Sequence, residues 1–418
     1  MNRATSFRTL AVGIFILLVV VRIPAILTDG RFWAEEGVVY FHAAWHQSWV
    51  DALFTIHTGY LNIIASAATL LALHLVTLEQ APLVTTAVAC GIQILPTIIL
   101  ATSRIPWLKR WPTFTIALLL LLIPAGDSEV WLNSITSQFH LALCVGLILA
   151  SEECSGSVCL FRGVVLLIAP LAGPVSGALT PLFLLRAAVE RSRVHLIQTA
   201  LLAVPTSVQA VIVLTHPEPA RTVGIGLPLL LAVIGIQNVM LPIAGASRTA
   251  PVAAAAYYSF MQSGISVFAI LVGTFGIGAL GIALYCWGDR VALWLFAAGC
   301  ALAVTSYSTV LTLGQPLYLL IWSGGRYCFA PTVLFSLSLL GLAATGALIR
   351  RMIPATLVIW VIYIGAGPYF HVPDDHARGV NWKDEVAAWR RDPTYRLQMW
   401  PLGWPAKLTL NPSARPNQ

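Results

Sequence analysis

The chain has 418 residues, a formal net charge of +7 and a mean hydropathy of +0.82, with 58% hydrophobic and only 10% charged residues. That balance excludes an ordinary soluble globular domain and places the chain in the integral-membrane class. Its cations sit in short clusters between apolar runs (Arg104, Lys109 and Arg110; Arg186, Arg191 and Arg193; Arg350 and Arg351), which is the pattern of cytoplasmic loops and not of a nucleic-acid surface.

Apolar runs of roughly 18–22 residues recur along the sequence, the length a bilayer core demands. They contain Pro and Gly and lack the alternation of transmembrane β-strands. The expected fold is therefore an all-α polytopic bundle of about 11–13 transmembrane helices. Residues 1–370 form the transmembrane domain and 371–418 a polar, Trp-rich tail.

In chain order, a first span covers about 7–27, read as uncleaved because it ends at Arg22 and Pro24 without a small-residue cleavage site. The first outer loop, 29–58, follows and carries Glu35, Glu36, His42, His46, Asp51 and His57 among interleaved aromatics. With only 17 acidic residues in the whole chain, the three between positions 35 and 51 are a concentration. Carboxylates beside a bilayer are costly to desolvate, and the aromatics read as an interfacial belt. Spans are expected at about 60–78 and 82–102, then the basic loop 104–110. Two crossings after an outer loop would put those cations outside, against the positive-inside tendency, unless one run is re-entrant.

A second polar island spans 126–140, with Asp127, Glu129, Asn133, Gln138 and His140. The run 163–185 is interrupted by AGPVSGALTP, which cannot form a straight helix. Further spans are expected at about 196–214, 227–244, 265–287, 291–312, 327–348 and 353–367. Trp382, Trp389, Trp400 and Trp404 give the tail reason to pack and not hang free.

Glu35 and Glu36 are neighbours, ~100° apart on a helix, so one can face a cavity while the other caps or pairs. The cavity-facing one is a candidate general base or phosphate-bridging carboxylate, and a solvated loop acid is the plain alternative. His42 and His46 share a helix face, but neither has a Glu behind it as HExxH zinc sites require, so they read as an interfacial polar face. Arg326, in SGGRY, has the fork geometry for a phosphate oxygen or else snorkels at the interface. Gly324 and Gly325 would let backbone approach a ligand there. Asn133, Gln138 and His140 are candidate sugar-hydroxyl partners or satisfied loop groups. The seven scattered cysteines show no metal-ligand spacing, and no phosphate loop, dinucleotide fingerprint, GxSxG or CxxC occurs.

The segments WAEEG after the first span, GY before the second, EVWLNSITSQFHLAL, GGRYCFAP and NWKDEV…PLGWPAKL resemble a little-described bacterial branch of the GT-C superfamily of polytopic glycosyltransferases. The acids are Glu-Glu where better-known members have an Asp-containing pair, and the tail is shorter than their large C-terminal soluble domain. The resemblance implies a multi-pass protein of the bacterial inner membrane. Such a protein would transfer a sugar, with inversion, from a polyprenyl-phosphate donor to a cell-envelope glycan or glycolipid at the outer face. Glu35 or Glu36 would be the catalytic acid of the first loop and Arg326 the holder of the lipid phosphate. Apart from the resemblance, Tyr327, Tyr60 and His57 are further candidate substrate-binding residues, with membrane lipid as the surrounding partner. A divalent cation, Mg or Mn, is compatible with this reading, although no metal ligand set is evident. The rivals from other classes are a transporter or flippase, which broken helices also suit, and a non-catalytic assembly subunit. A cavity at the outer interface would favour transfer, and one at mid-bilayer would favour transport.

Overall fold

A computed structural model describes residues 3–123, 128–152, 154–218, 226–311, 316–321, 323–345, 347–371 and 381–414. The chain is mostly helical, and its one two-stranded ribbon pairs Ile56–His57 with Tyr60–Leu61. Among the described residues, seven helices are long and apolar enough to cross a membrane, including Ala81–Thr102, Val267–Trp287, Gly325–Thr345 and Leu348–Phe370. Shorter apolar helices lie at Phe7–Val21, Ile63–Leu75, Trp111–Leu122, Ser137–Ala150 and Ser157–Ala172. A helix of 12 or 13 residues covers only about 20 Å, less than a hydrocarbon core of about 30 Å. Ser137–Ala150 can be apolar all round because it is the centre of the bundle: every residue in it except Gln138 is buried.

The bundle has two distinct ends. At one, Arg8 donates to the carbonyls of Ala101 (2.6 Å) and Leu108 (3.0 Å), and the Trp107 indole donates to Asp289 (3.1 Å). Arg186 donates to Ser151 O (2.8 Å) and lies 5.8 Å from the Trp294 ring. These contacts gather Arg8, the turn 103–110, the turn after Ala150 and the turn before Arg290 at one basic end. At the other end, Arg22 donates to Tyr369 O (3.2 Å), joining the end of the first helix to the end of Leu348–Phe370.

The run expected to cross at 60–78 behaves differently. Its helix, Ile63–Leu75, has 13 residues. At its start Asn62 donates to Ile135 O (3.1 Å). Just past its finish Leu78 O accepts from the Trp382 indole (2.9 Å), and Glu79 pairs with Arg390 (2.9 Å). Both ends therefore meet the loop end of the molecule. Ala81–Thr102 is long and apolar enough to cross and leads to the turn 103–110 beside Arg8.

The tail docks on the first loop. Trp400 and Trp33 form a parallel bridge, with Trp400 N–H donating to Phe32 O (3.0 Å) and Ala34 N–H to Trp400 O (2.5 Å). Helix Trp382–Arg391 sets its Trp382 ring 5.5 Å from Phe32 and its Trp389 ring 5.9 Å from Trp45. Arg31 lies 3.6 Å from Glu385, both buried, and donates to Gln398 O (3.0 Å). Phe32, Phe41, Trp45, Trp382, Trp389 and Met399 thus make a second apolar core, separate from the main core inside the bundle. His46 belongs to this seam: its Nδ1 faces His42 O (2.9 Å) and its Nε2 accepts from Asn411 N–H (3.2 Å). His46 thus ties the first loop to the end of the tail.

A charged cavity at the loop end

Glu35, Tyr40, His57, Tyr60, Gln138, Arg326 and Tyr327 line one cavity of about 100 Å³. The chain brings them there from four places. Glu35 precedes the π-helical turn Glu36–Phe41, which carries Tyr40. His57 and Tyr60 flank the turn of the short ribbon. Gln138 opens the central helix, and Arg326 and Tyr327 open Gly325–Thr345. Thr136, Asn62 and Pro174 complete the wall. Most lie at or just outside helix ends, so the cavity sits towards one end of the bundle.

The two acids diverge. Glu35 is half-buried on the cavity wall, whereas Glu36 is fully buried. Glu36 Oε1 accepts from Ser134 N–H (2.9 Å) and the Ser134 hydroxyl (2.5 Å), and Oε2 from Trp33 N–H (3.2 Å). Burial pushes its carboxyl above the ordinary range, while the Ser134 and Trp33 bonds pull the other way. Glu36 fastens the first loop to the polar island; Glu35 is the acid the cavity can use.

Arg326 is half-buried, forms an ion pair with Glu129 and lies 5.2 Å from the Tyr327 ring. Glu35 adds a second negative charge to its surroundings. Tyr40 is buried beside Tyr60 and Glu35, and burial raises its phenol well above the ordinary value. Its ring centroid is 6.3 Å from that of His57. Gln138 donates to the Tyr60 hydroxyl at 3.4 Å. The interrupted helix is what lets Gln138 sit there. Ser157–Ile168 gives way to two 3₁₀ turns, Ala169–Ala172 and Pro174–Leu179, and a Cβ on Gly173 between them would fall on the Gln138 side chain. Gly324 has φ of +72°, and a Cβ there would strike the rings of Tyr318 and Tyr327. It serves the packing of two tyrosines.

Among the described residues, Ala34, Thr58, Leu132 and Arg191 are the non-glycine residues with positive φ. Three of the four belong to this region: Ala34 precedes Glu35, Thr58 is on the cavity wall, and Leu132 shapes the polar island. Such conformations persist only where the surroundings over-determine them, and they cluster at functional sites.

Two expected substrate-binding residues stand away from the cavity wall. Asn133 donates to Glu129 O (2.5 Å) and accepts from Thr136 N–H (3.1 Å) and its hydroxyl (2.8 Å), so it organises its own loop. His140 is buried between the rings of Trp131 (4.9 Å) and Phe329 (4.6 Å). Asp127 lies outside the described residues. Glu129, Tyr40, Asn62 and Thr136 were not singled out as site residues from sequence. Glu129 had a visible signal, being an acid in the second polar island.

Among the described residues, no group of three or more His, Cys, Asp or Glu side chains is placed to hold a metal ion. A divalent cation would need the cavity carboxylates, and Glu129 is already paired with Arg326.

No protein-family profile matches the chain, and neither characterised proteins nor solved structures give a match. The fold and the site define a helical membrane protein with a cavity at one end, carrying a carboxylate, a guanidinium and several hydroxyl and amide groups.

Proposed function

We propose that the chain is an inverting glycosyltransferase of the GT-C kind. It would take a sugar from a polyprenyl-phosphate carrier and pass it to a glycan or glycolipid acceptor. The observation that carries this reading is that Glu35 and Arg326 line one cavity at the end of the bundle opposite the basic turns. With the basic turns cytoplasmic, that cavity faces the outer side of a bacterial inner membrane, in a bundle of about 11–13 membrane helices and shorter membrane segments. A polyprenyl phosphate carries its phosphate at headgroup height, so its cation partner and base belong at the interface.

The acceptor hydroxyl gives its proton to Glu35 as its oxygen attacks C1. The bond from C1 to the phosphate oxygen breaks, and the electron pair leaves with the polyprenyl phosphate. Arg326 stabilises the charge that collects there. One displacement inverts the anomeric centre. Glu129 holds the guanidinium, while Tyr60, Gln138, His57 and Tyr40 offer hydrogen bonds to sugar hydroxyls. A transporter would place its charged groups near the bilayer midplane, and these lie at helix ends.

The test is transfer by the purified protein from a panel of radiolabelled polyprenyl-phosphate sugars to membrane lipid and glycan extracts. Donor-dependent labelling of an acceptor supports the reading. No transfer from any donor, together with carrier-independent sugar binding, sinks it.

A further inference from the structure

A groove of about 570 Å³ runs along the outside of the bundle in the half away from Glu35 and Arg326. Helices Val267–Trp287, Gly325–Thr345 and Leu348–Phe370 form its sides. Its inner limit is the segment around Pro242, which packs close because Gly276 has no Cβ to strike Val239. Ala279 and Ala283 keep one wall thin. Its other limit is Arg350, whose guanidinium carbon lies 5.5 Å from the Trp287 ring centroid.

From Gly276 to Trp287 a helix rises about 16 Å at ~1.5 Å per residue, close to half of a ~30 Å hydrocarbon core. The groove is thus one leaflet deep. It ends where tryptophan sits at headgroup level and arginine meets phosphate. Trp287 is followed by Asp289, which accepts from Trp107 and caps the next helix, and by Arg290, and Arg351 adjoins Arg350. The charge at this mouth is positive, and its nearest carboxylate in sequence is committed elsewhere.

We propose that this groove binds one acyl chain of an anionic glycerophospholipid from the leaflet at the basic end, with the lipid phosphate against Arg350. The site is independent of the transferase reading. It lies in the other half of the bundle, and its ligand is a bilayer lipid and not a sugar carrier.

The experiment is native mass spectrometry of the full-length protein, titrated with phosphatidylglycerol or phosphatidylcholine of identical chains. Phosphatidylglycerol should bind roughly fivefold more tightly, as one arginine near a headgroup gives. Arg350→Gln should abolish that preference, weakening phosphatidylglycerol more than phosphatidylcholine. Ala283→Phe, which fills the groove, should weaken both lipids while the melting temperature holds. Glycerol phosphate should not compete. Equal affinities in the wild type, a preference that survives Arg350→Gln, unchanged binding in Ala283→Phe, or displacement by glycerol phosphate or a polyprenyl phosphate would each overturn the proposal.

Discussion

Ser134 donates twice to one oxygen of Glu36, from its backbone N–H at 2.9 Å and its hydroxyl at 2.5 Å, across 98 residues of sequence. This contact joins the acidic loop to the polar island and sets the floor under Glu35. The neighbouring carboxylates thus have separate jobs, one holding the site together and one facing into it.

Glu36→Gln should cost stability. Gln keeps one acceptor but turns an NH₂ toward donors that need an oxygen, and an unsatisfied buried donor costs about 1–3 kcal/mol. The pH dependence has a definite sign. Burial raises the folded-state value of Glu36 above its ordinary 4.5. Its contribution is therefore fully present below the unfolded value and is lost as pH rises through the raised folded value. Melting curves from acidic to neutral pH should show a decline in the wild type that is flatter in Glu36→Gln. A parallel decline in both would show that Glu36 does not titrate in this range.

Trp382→Ala should free the tail. The residue is 1% exposed, and truncating a buried tryptophan costs about 3–5 kcal/mol. Trypsin should then cut at Arg390 and Arg391 under conditions that leave the wild type intact. A tail equally resistant in both proteins would mean that this docking is not what protects it.

Topology has its own check. In a background lacking the exposed Cys286, cysteines at Gln47 and Asp392 should both react with an impermeant thiol reagent in intact cells, and one at Lys109 should not. Labelling of Lys109 along with Gln47 would return Ile63–Leu75 to the set of crossing helices.

That last point shows where the sequence stops being legible. The mostly helical class follows from composition, and Glu35, His57, Tyr60, Gln138, Arg326 and Tyr327 all stand out as polar groups at run ends. The course of residues 63–75 does not, because it depends on Trp382 and Arg390 docking on Leu78 and Glu79, contacts made more than 300 residues away. The split between Glu35 and Glu36 is equally hidden. One-residue phasing follows from periodicity, but which acid turns inward depends on Ser134. Asn133 and His140, polar beside an apolar run, read from sequence either as sugar partners or as satisfied loop groups. In the fold, one is spent on its own loop and the other on an aromatic stack. The pairing of Arg326 with Glu129 spans 197 residues and leaves no local pattern.

Arg326→Ala should weaken donor binding by removing the charge contact to phosphate and leaving Glu129 without its partner. Arg326→Lys should recover only part of it, since an ammonium cannot present a planar fork to Glu129 and phosphate together. Binding of a labelled polyprenyl phosphate reads this directly. Wild-type affinity in the alanine variant would remove Arg326 from the site.

The most direct test is the transfer rate of Glu35→Gln in protein whose melting temperature and donor affinity match the wild type. The substitution keeps size and hydrogen bonding and removes basicity. A positioned base contributes about 10² to 10⁴ in rate, so a loss on that scale is expected, with donor binding unchanged. Full transfer by Glu35→Gln would contradict the account and leave the cavity carboxylate as nothing more than a polar group at the membrane boundary.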